Sequence, residues 1–194
     1  MEGQSVWIGP TECNKERTAR NKDVEEVWSR LASIKGYRET YLLFTSAVDL
    51  FREALSCYQN GAYMATVLMC RACVEASIYI ITSREVKYRS NLRMVHEVKM
   101  NYDLIRAKWK CIMCKARENG YIDDELEQRI KQIREAGNFA AHYGQRFDEE
   151  LKSIKVRETE RIKGWTRKED ALNILHVTVN VLERLMTNIL QKAQ

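Results

Sequence analysis

Apolar residues recur along most of this chain at intervals of three and four, the spacing of side chains that share one face of an α-helix. Val24, Val27, Trp28, Leu31 and Ile34 keep that spacing, and Gly36 supplies a stop. Phe44, Ala47, Val48, Phe51, Ala54, Leu55 and Tyr58 form a clearer stripe, ended by Asn60-Gly61. Residues 62 to 82 are apolar nearly all round, with Val67, Leu68, Met69, Cys70, Ala72, Cys73, Val74, Ile78, Ile80 and Ile81, which predicts a helix at the centre of a bundle. Arg71 and Glu75 interrupt it one turn apart. The basic, polar stretch from 83 to 97 predicts a loop, after which Val98, Tyr102, Ile105, Trp109, Ile112, Met113 and Ala116 resume helical spacing as far as Gly120.

Asp123 is placed to cap the next helix, because its carboxylate can accept the unpaired amides of a first turn. Leu126, Ile130, Ile133, Gly137 and Ala141 make the buried stripe of that helix, and Tyr143-Gly144 is its predicted end. Residues 146 to 165 are highly charged and predict a partial helix and a loop. Thr166 and Glu169 have the spacing of a capping box. They launch a last helix lined by Ala171, Leu175, Thr178, Leu182, Leu185, Met186 and Ile189. The pattern predicts an all-α, up-and-down helical bundle of about five main helices. Residues 1–20, with Trp7, Ile8 and Pro10, read as a polar N-terminal arm, and 21–194 as a single helical-bundle domain.

Composition agrees. One proline and eight glycines in 194 residues leave little turn chemistry for a many-stranded sheet. The formal net charge of +5 is compatible with a polyanionic partner without requiring one. No run approaches a membrane span in uninterrupted apolar length, and the N-terminus lacks a basic region followed by an apolar one. Together with six cysteines and no secretion signal, this predicts a cytoplasmic protein with reduced thiols and no membrane partner.

Two cysteine pairs, Cys70/Cys73 and Cys111/Cys114, have the spacing of half-sites for zinc. Both fall inside apolar helical pattern without the turn that a zinc knuckle needs, so they read as packing and no metal or cofactor is expected. Arg134, Asn138 and His142 are a different matter, since residues four apart lie above one another on a helix. An imidazole can move a proton near neutral pH, a guanidinium can hold a phosphate, and an amide can position either. That combination points to phosphodiester chemistry. Helical side chains lean towards the N-terminus, so Arg134 leans away from His142. Arg71, Arg146 or a second copy of the chain are the alternative sources of a cation there. Arg71 and Glu75 are expensive to bury unpaired, and either fix helix register as a salt bridge or orient the later row. The basic residues between Arg84 and Arg93, interleaved with Tyr88, read either as a nucleic-acid contact or as a solvated loop.

Gly61-Ala-Tyr63, then Val67-Leu-Met-Cys-Arg71-Ala-Cys-Val-Glu75, then Ile133-Arg134-Glu-Ala-Gly137-Asn138-Phe-Ala-Ala141-His142 resemble an uncharacterised bacterial and archaeal family. Its members occur alone and fused to restriction-enzyme subunits. Its last motif reads Ile-Arg, two residues, Gly-Asn, one residue, Ala-Ala-His. The resemblance extends over about residues 40 to 192. That family looks like a branch of the HEPN superfamily of helical nucleotide-binding domains. In active HEPN proteins an arginine, four to six residues and a histidine form a ribonuclease site shared across a dimer, without metal, and an asparagine often follows the arginine directly. Asn138 and His142 match this pattern; the arginine position is Gly137, and seven residues separate Arg134 from His142.

The resemblance implies a homodimer acting on RNA in a defence or toxin–antitoxin role. In it Arg134, Asn138 and His142 would be catalytic, and Arg71 and Glu75 supporting. The other reading is a non-catalytic dimerising or partner-binding bundle whose partner is a cognate antitoxin or restriction-system protein.

Overall fold

The computed structural model describes the backbone of residues 10–101, 103–104, 107–150 and 167–194, and the side chains of these except 10–13 and 143–150. Helices α1 (Pro10–Ala32), α2 (Tyr37–Gln59) and α3 (Tyr63–Ser83) lead into a β-hairpin of β1 (Arg84–Arg89) and β2 (Met94–Met100). Helices α4 (Trp109–Glu118), α5 (Asp124–Glu150) and α6 (Lys168–Ala193) follow. The described residues are therefore mainly helical, arranged as a bundle.

The apolar helix lies where its composition puts it. α3 packs against α2, α4, α5 and α6, and Val67, Cys70, Cys73, Val74, Ile78 and Ile81 are all fully buried there. It is also the one described helix long and apolar enough to cross a membrane, with half of its most apolar window buried among its neighbours. The α2 stripe from Phe44 to Tyr58 and the α6 stripe from Ala171 to Ile189 close the same core. Between α2 and α3, Gly61 takes φ +77°, a left-handed conformation that costs a residue with a Cβ about 1 kcal/mol or more. Its N–H donates to the Tyr58 carbonyl at 2.9 Å, turning the chain in two residues.

Polar ties fix the helices at this end. The Tyr58 hydroxyl donates to Asp23 at 2.7 Å, and Lys168 approaches the same carboxylate at 2.9 Å, joining α1, α2 and the start of α6. Burial acts to raise the Asp23 pKa, but the hydrogen bonds from Lys168 and Tyr58 outweigh it and hold the carboxyl below its usual value. Asp123 caps α5 as its sequence position suggests, accepting from the Leu126 N–H at 2.8 Å.

Several expectations from the sequence are corrected. Residues 84–100 form an antiparallel hairpin rather than a loop, so Val98 belongs to β2 and the helix expected to include it begins at Trp109. Burial alternates along β1, with Val86 and Tyr88 inward and Lys87 and Arg89 outward, and Val95 opposite Tyr88 is buried. That period of two was legible, but the turn is made without glycine, with Arg93 itself at φ +48°. Helix α5 continues through Gly144 to Glu150, because a helix interior tolerates a glycine at a cost of only about 1 kcal/mol. Along α5, Ala136 and Ala140 are buried while Ala141 is exposed, as the 100° rotation per residue carries the buried face round. At the other end α1 begins at Pro10, a residue suited to a first helical position. Residues 14 to 19 of the expected arm are exposed helix, anchored at Arg20, whose Nε donates to the Gln59 carbonyl at 3.0 Å. Trp7, Ile8, Tyr102, Ile105, Thr166 with its capping box, and the charged stretch 151–165 lie outside the described residues, as does the Arg146 side chain.

Candidate functional site

The residues singled out in the sequence lie where α5 crosses α3. Gly137 is buried at that crossing, and the stem of Arg71 lies directly over it. A Cβ on Gly137 would fall 2.4 Å from Arg71 Cδ, 2.7 Å from its Cβ and 3.0 Å from its Cγ. Only a residue without a side chain lets the two helices approach this closely. Ile133, Ala136 and Ala140 are buried on the neighbouring positions of α5. Half of the family-like motif is therefore a packing device.

The other half is electrostatic. Arg71 Nε donates to Glu75 Oε1 at 3.0 Å, and Arg134 Nε donates to the same oxygen at 3.0 Å. One carboxylate thus clamps a guanidinium from each helix, leaving the trio with a net positive charge. Their side chains remain 25%, 31% and 27% exposed for Arg71, Glu75 and Arg134, so the cluster opens to solvent. The Arg134 guanidinium also sits over the Trp109 indole, 4.3 Å from the ring centroid, a cation–π contact that fixes its plane. Two guanidinia whose Nε edges are tied to a carboxylate are pre-oriented donors for a second anion.

Of the expected row, Arg134 turns back towards Glu75 and Trp109, whereas Asn138 and His142 are exposed on the next two turns of α5. Eight positions of helix put about 12 Å between Arg134 and His142 along the axis. Arg71, lying over Gly137, starts five positions before His142. It brings a cation to the level of α5 that the resemblance reserves for an arginine at 137. Arg71 and Glu75, read from sequence as supporting residues, are therefore integral to the cluster. Trp109 was read only as an apolar helix position, and nothing in its spacing marked it as the partner of Arg134.

The two cysteine pairs differ in setting. Cys70 and Cys73 are buried in α3, where burial pushes the Cys70 thiol up to about 12 and raises Cys73 well above its usual range. Cys111 and Cys114 are exposed on α4, not packed as their apolar context suggested. Among the described residues no three His, Cys, Asp or Glu side chains converge as metal ligands.

Comparison with known proteins returned no match among family models, curated proteins or solved structures.

Proposed function

We propose that this chain is a HEPN-like helical module that works as a homodimer on RNA, with the Arg71–Glu75–Arg134 cluster holding a phosphodiester and His142 moving the proton. The observation that carries the reading is the clamp itself: two arginines from different helices oriented by one carboxylate oxygen, with Asn138 and His142 exposed on the following turns of α5. In the reaction, His142 takes the proton of a ribose 2′-hydroxyl as that oxygen attacks the neighbouring phosphorus. The 5′-oxygen of the next nucleotide leaves and takes a proton from solvent water, giving a 2′,3′-cyclic phosphate and a 5′-hydroxyl. Guanidinium donors stabilise the extra charge on the five-coordinate phosphorus, and Asn138 orients the phosphate or the ring. Arg71 is the better-placed donor within one chain, while Arg134 would reach the scissile phosphate of a partner copy. A half-buried apolar flank of α3 that includes Met64, Leu68 and Ala76 lies beside the cluster and supplies a surface for that second copy.

A non-catalytic reading has one observation in its favour, namely that Glu75 and Trp109 draw Arg134 away from His142. The bundle would then dimerise or bind an antitoxin or restriction-system protein through the same surface. Incubation with a mixed RNA pool and excess chelator separates the two. Catalysis predicts cut RNA with the wild-type chain and none with a His142→Ala variant whose fold is intact by circular dichroism. RNA left intact by the wild-type chain, or cut equally by the variant, removes the ribonuclease reading.

A further inference from the structure

The β-hairpin is a second charged surface, away from the arginine clamp. Its alternation sends Glu85, Lys87 and Arg89 of β1 to the outer face, all exposed, with Lys99 opposite Glu85 and His96 opposite Lys87. Arg93 is exposed at the turn. The outer face and tip therefore carry Lys87, Arg89, Arg93 and Lys99 against the single carboxylate of Glu85. The ion pair formed within the hairpin among the described residues, Arg84 with Glu97 at 3.2 Å, involves neither Lys87, Arg89, Arg93 nor Lys99. Cations left unpaired on alternate positions of a strand repeat at about 6.8 Å. That is an array suited to a chain of phosphates rather than to one small anion.

At the base of the hairpin a cleft of about 850 Å³ opens. Its walls include Arg84, Lys99 and Lys192, the amides of Asn101 and Asn119, and Tyr121. Glu85 and Asp103 share the lining and leave it net positive. Lys99 belongs to both surfaces, so the basic outer face runs into the cleft without a break. A volume in the range of roughly 300–1,000 Å³ accommodates a nucleotide-sized ligand, and side-chain amides can hydrogen-bond the edge of a base that has left its stack.

We propose that the hairpin and the cleft at its base form a binding track for single-stranded nucleic acid. Phosphates lie along Lys87, Arg89 and Arg93, and one nucleotide enters the cleft beside Lys99 and Asn119. A duplex fits less well, since an A-form major groove is too narrow for side chains to read and paired bases cannot enter a cleft. The track does not depend on His142 or on cleavage.

The test is fluorescence anisotropy with labelled oligodeoxythymidylate of about 20 nucleotides, which lacks the 2′-hydroxyl and separates binding from cleavage. Oligouridylate, a duplex of equal length and vesicles of mixed phosphatidylserine and phosphatidylcholine form the other arms. The full chain is compared with its Lys87→Ala/Arg89→Ala/Arg93→Ala variant. All three residues are exposed, so the variant should keep the wild-type melting temperature. Losing three phosphate contacts should reduce the slope of log affinity against log salt by about 2, and weaken single-strand binding about 100-fold near 0.1 M salt. A second variant, Asn119→Ala, should weaken binding severalfold with no change in salt slope. The proposal is overturned if the triple variant keeps the wild-type slope, if duplex binds as tightly as single strand, or if vesicles and not oligonucleotides are what the wild-type chain binds.

Discussion

Gly137→Ala is the smallest perturbation that tests how α3 and α5 are joined. In an isolated helix the change is favourable, by about 1 kcal/mol. At this crossing the added methyl would sit 2.4 and 2.7 Å from Arg71 Cδ and Cβ. The Cδ can swing aside, but the Cβ is fixed to the α3 backbone, so the helices themselves must separate. Overpacking of this kind costs about 1–3 kcal/mol. Set against the propensity gain, it leaves a net loss of about 0–2 kcal/mol, or a melting temperature lower by up to about 8 °C for a chain of this size. The displacement also carries Arg134, on α5, off Glu75 on α3, so the proposed RNA cleavage should fall together with stability.

The assay is thermal and denaturant unfolding of wild-type, Gly137→Ala, Arg71→Ala and the double variant. Truncating Arg71 removes the contacts at 2.4 and 3.0 Å and leaves only the one at 2.7 Å. The alanine at 137 should therefore cost about 1 kcal/mol less in that background. A melting temperature that rises by roughly 2–4 °C in both backgrounds would show helix propensity acting alone. It would refute the close approach.

Thiol labelling with a maleimide at mildly alkaline pH should modify Cys111 and Cys114 in the native protein within minutes. Cys70 and Cys73, buried and with raised pKa values, should react only on unfolding; native labelling of either would mean that α3 is not the core helix. Tyr58→Phe removes the donor to Asp23 and should lower stability by about 1.5–3 kcal/mol near neutral pH, measured by denaturant titration. Because the folded Asp23 pKa lies below its unfolded value of 3.8, that carboxylate's stabilisation is complete above the unfolded value and disappears as pH falls through the folded one. Wild-type and Asp23→Asn proteins should therefore converge in stability as pH falls below about 4 and keep a constant gap above it; curves that stay parallel down to strongly acid pH would contradict the linkage.

Helices with one apolar stripe were legible in the sequence because burial there is periodic and the side chains are unambiguous. Every member of the α2 stripe from Phe44 to Tyr58 is buried, as is every member named for α6. The hairpin was obscured because its strands are short, its turn contains no glycine, and its charged outer face dominates the composition of that stretch. Gly144 reads as a stop in the sequence, yet α5 runs through it to Glu150, and about two turns earlier Gly137 is a packing residue. For the site, the importance of Arg71, Glu75 and Arg134 could be inferred from the cost of placing charge on apolar helices. Their common oxygen could not, because which arginine meets which carboxylate depends on the distance between two helices. Gly137 sets that distance.

A chain that needs only a structural salt bridge between α3 and α5 can use one arginine and one carboxylate, which cancel. Here Glu75 holds two arginines, and the excess positive charge faces partly to solvent next to an indole, with Asn138 and His142 exposed further along α5. Mutual repulsion between the guanidinia works against folding, and a single carboxylate oxygen compensates only in part. An arrangement that is costly alone becomes favourable once a second anion joins it, so the cluster should gain stability from the ligand it binds. Phosphate-bearing oligonucleotide should therefore raise the melting temperature of the wild-type chain and of the hairpin variant. The same oligonucleotide should leave the Arg71→Ala/Arg134→Ala protein unmoved by this route. If the double arginine variant is instead intrinsically more stable and is still shifted as far by oligonucleotide, the cluster is a packing relic and not an anion site.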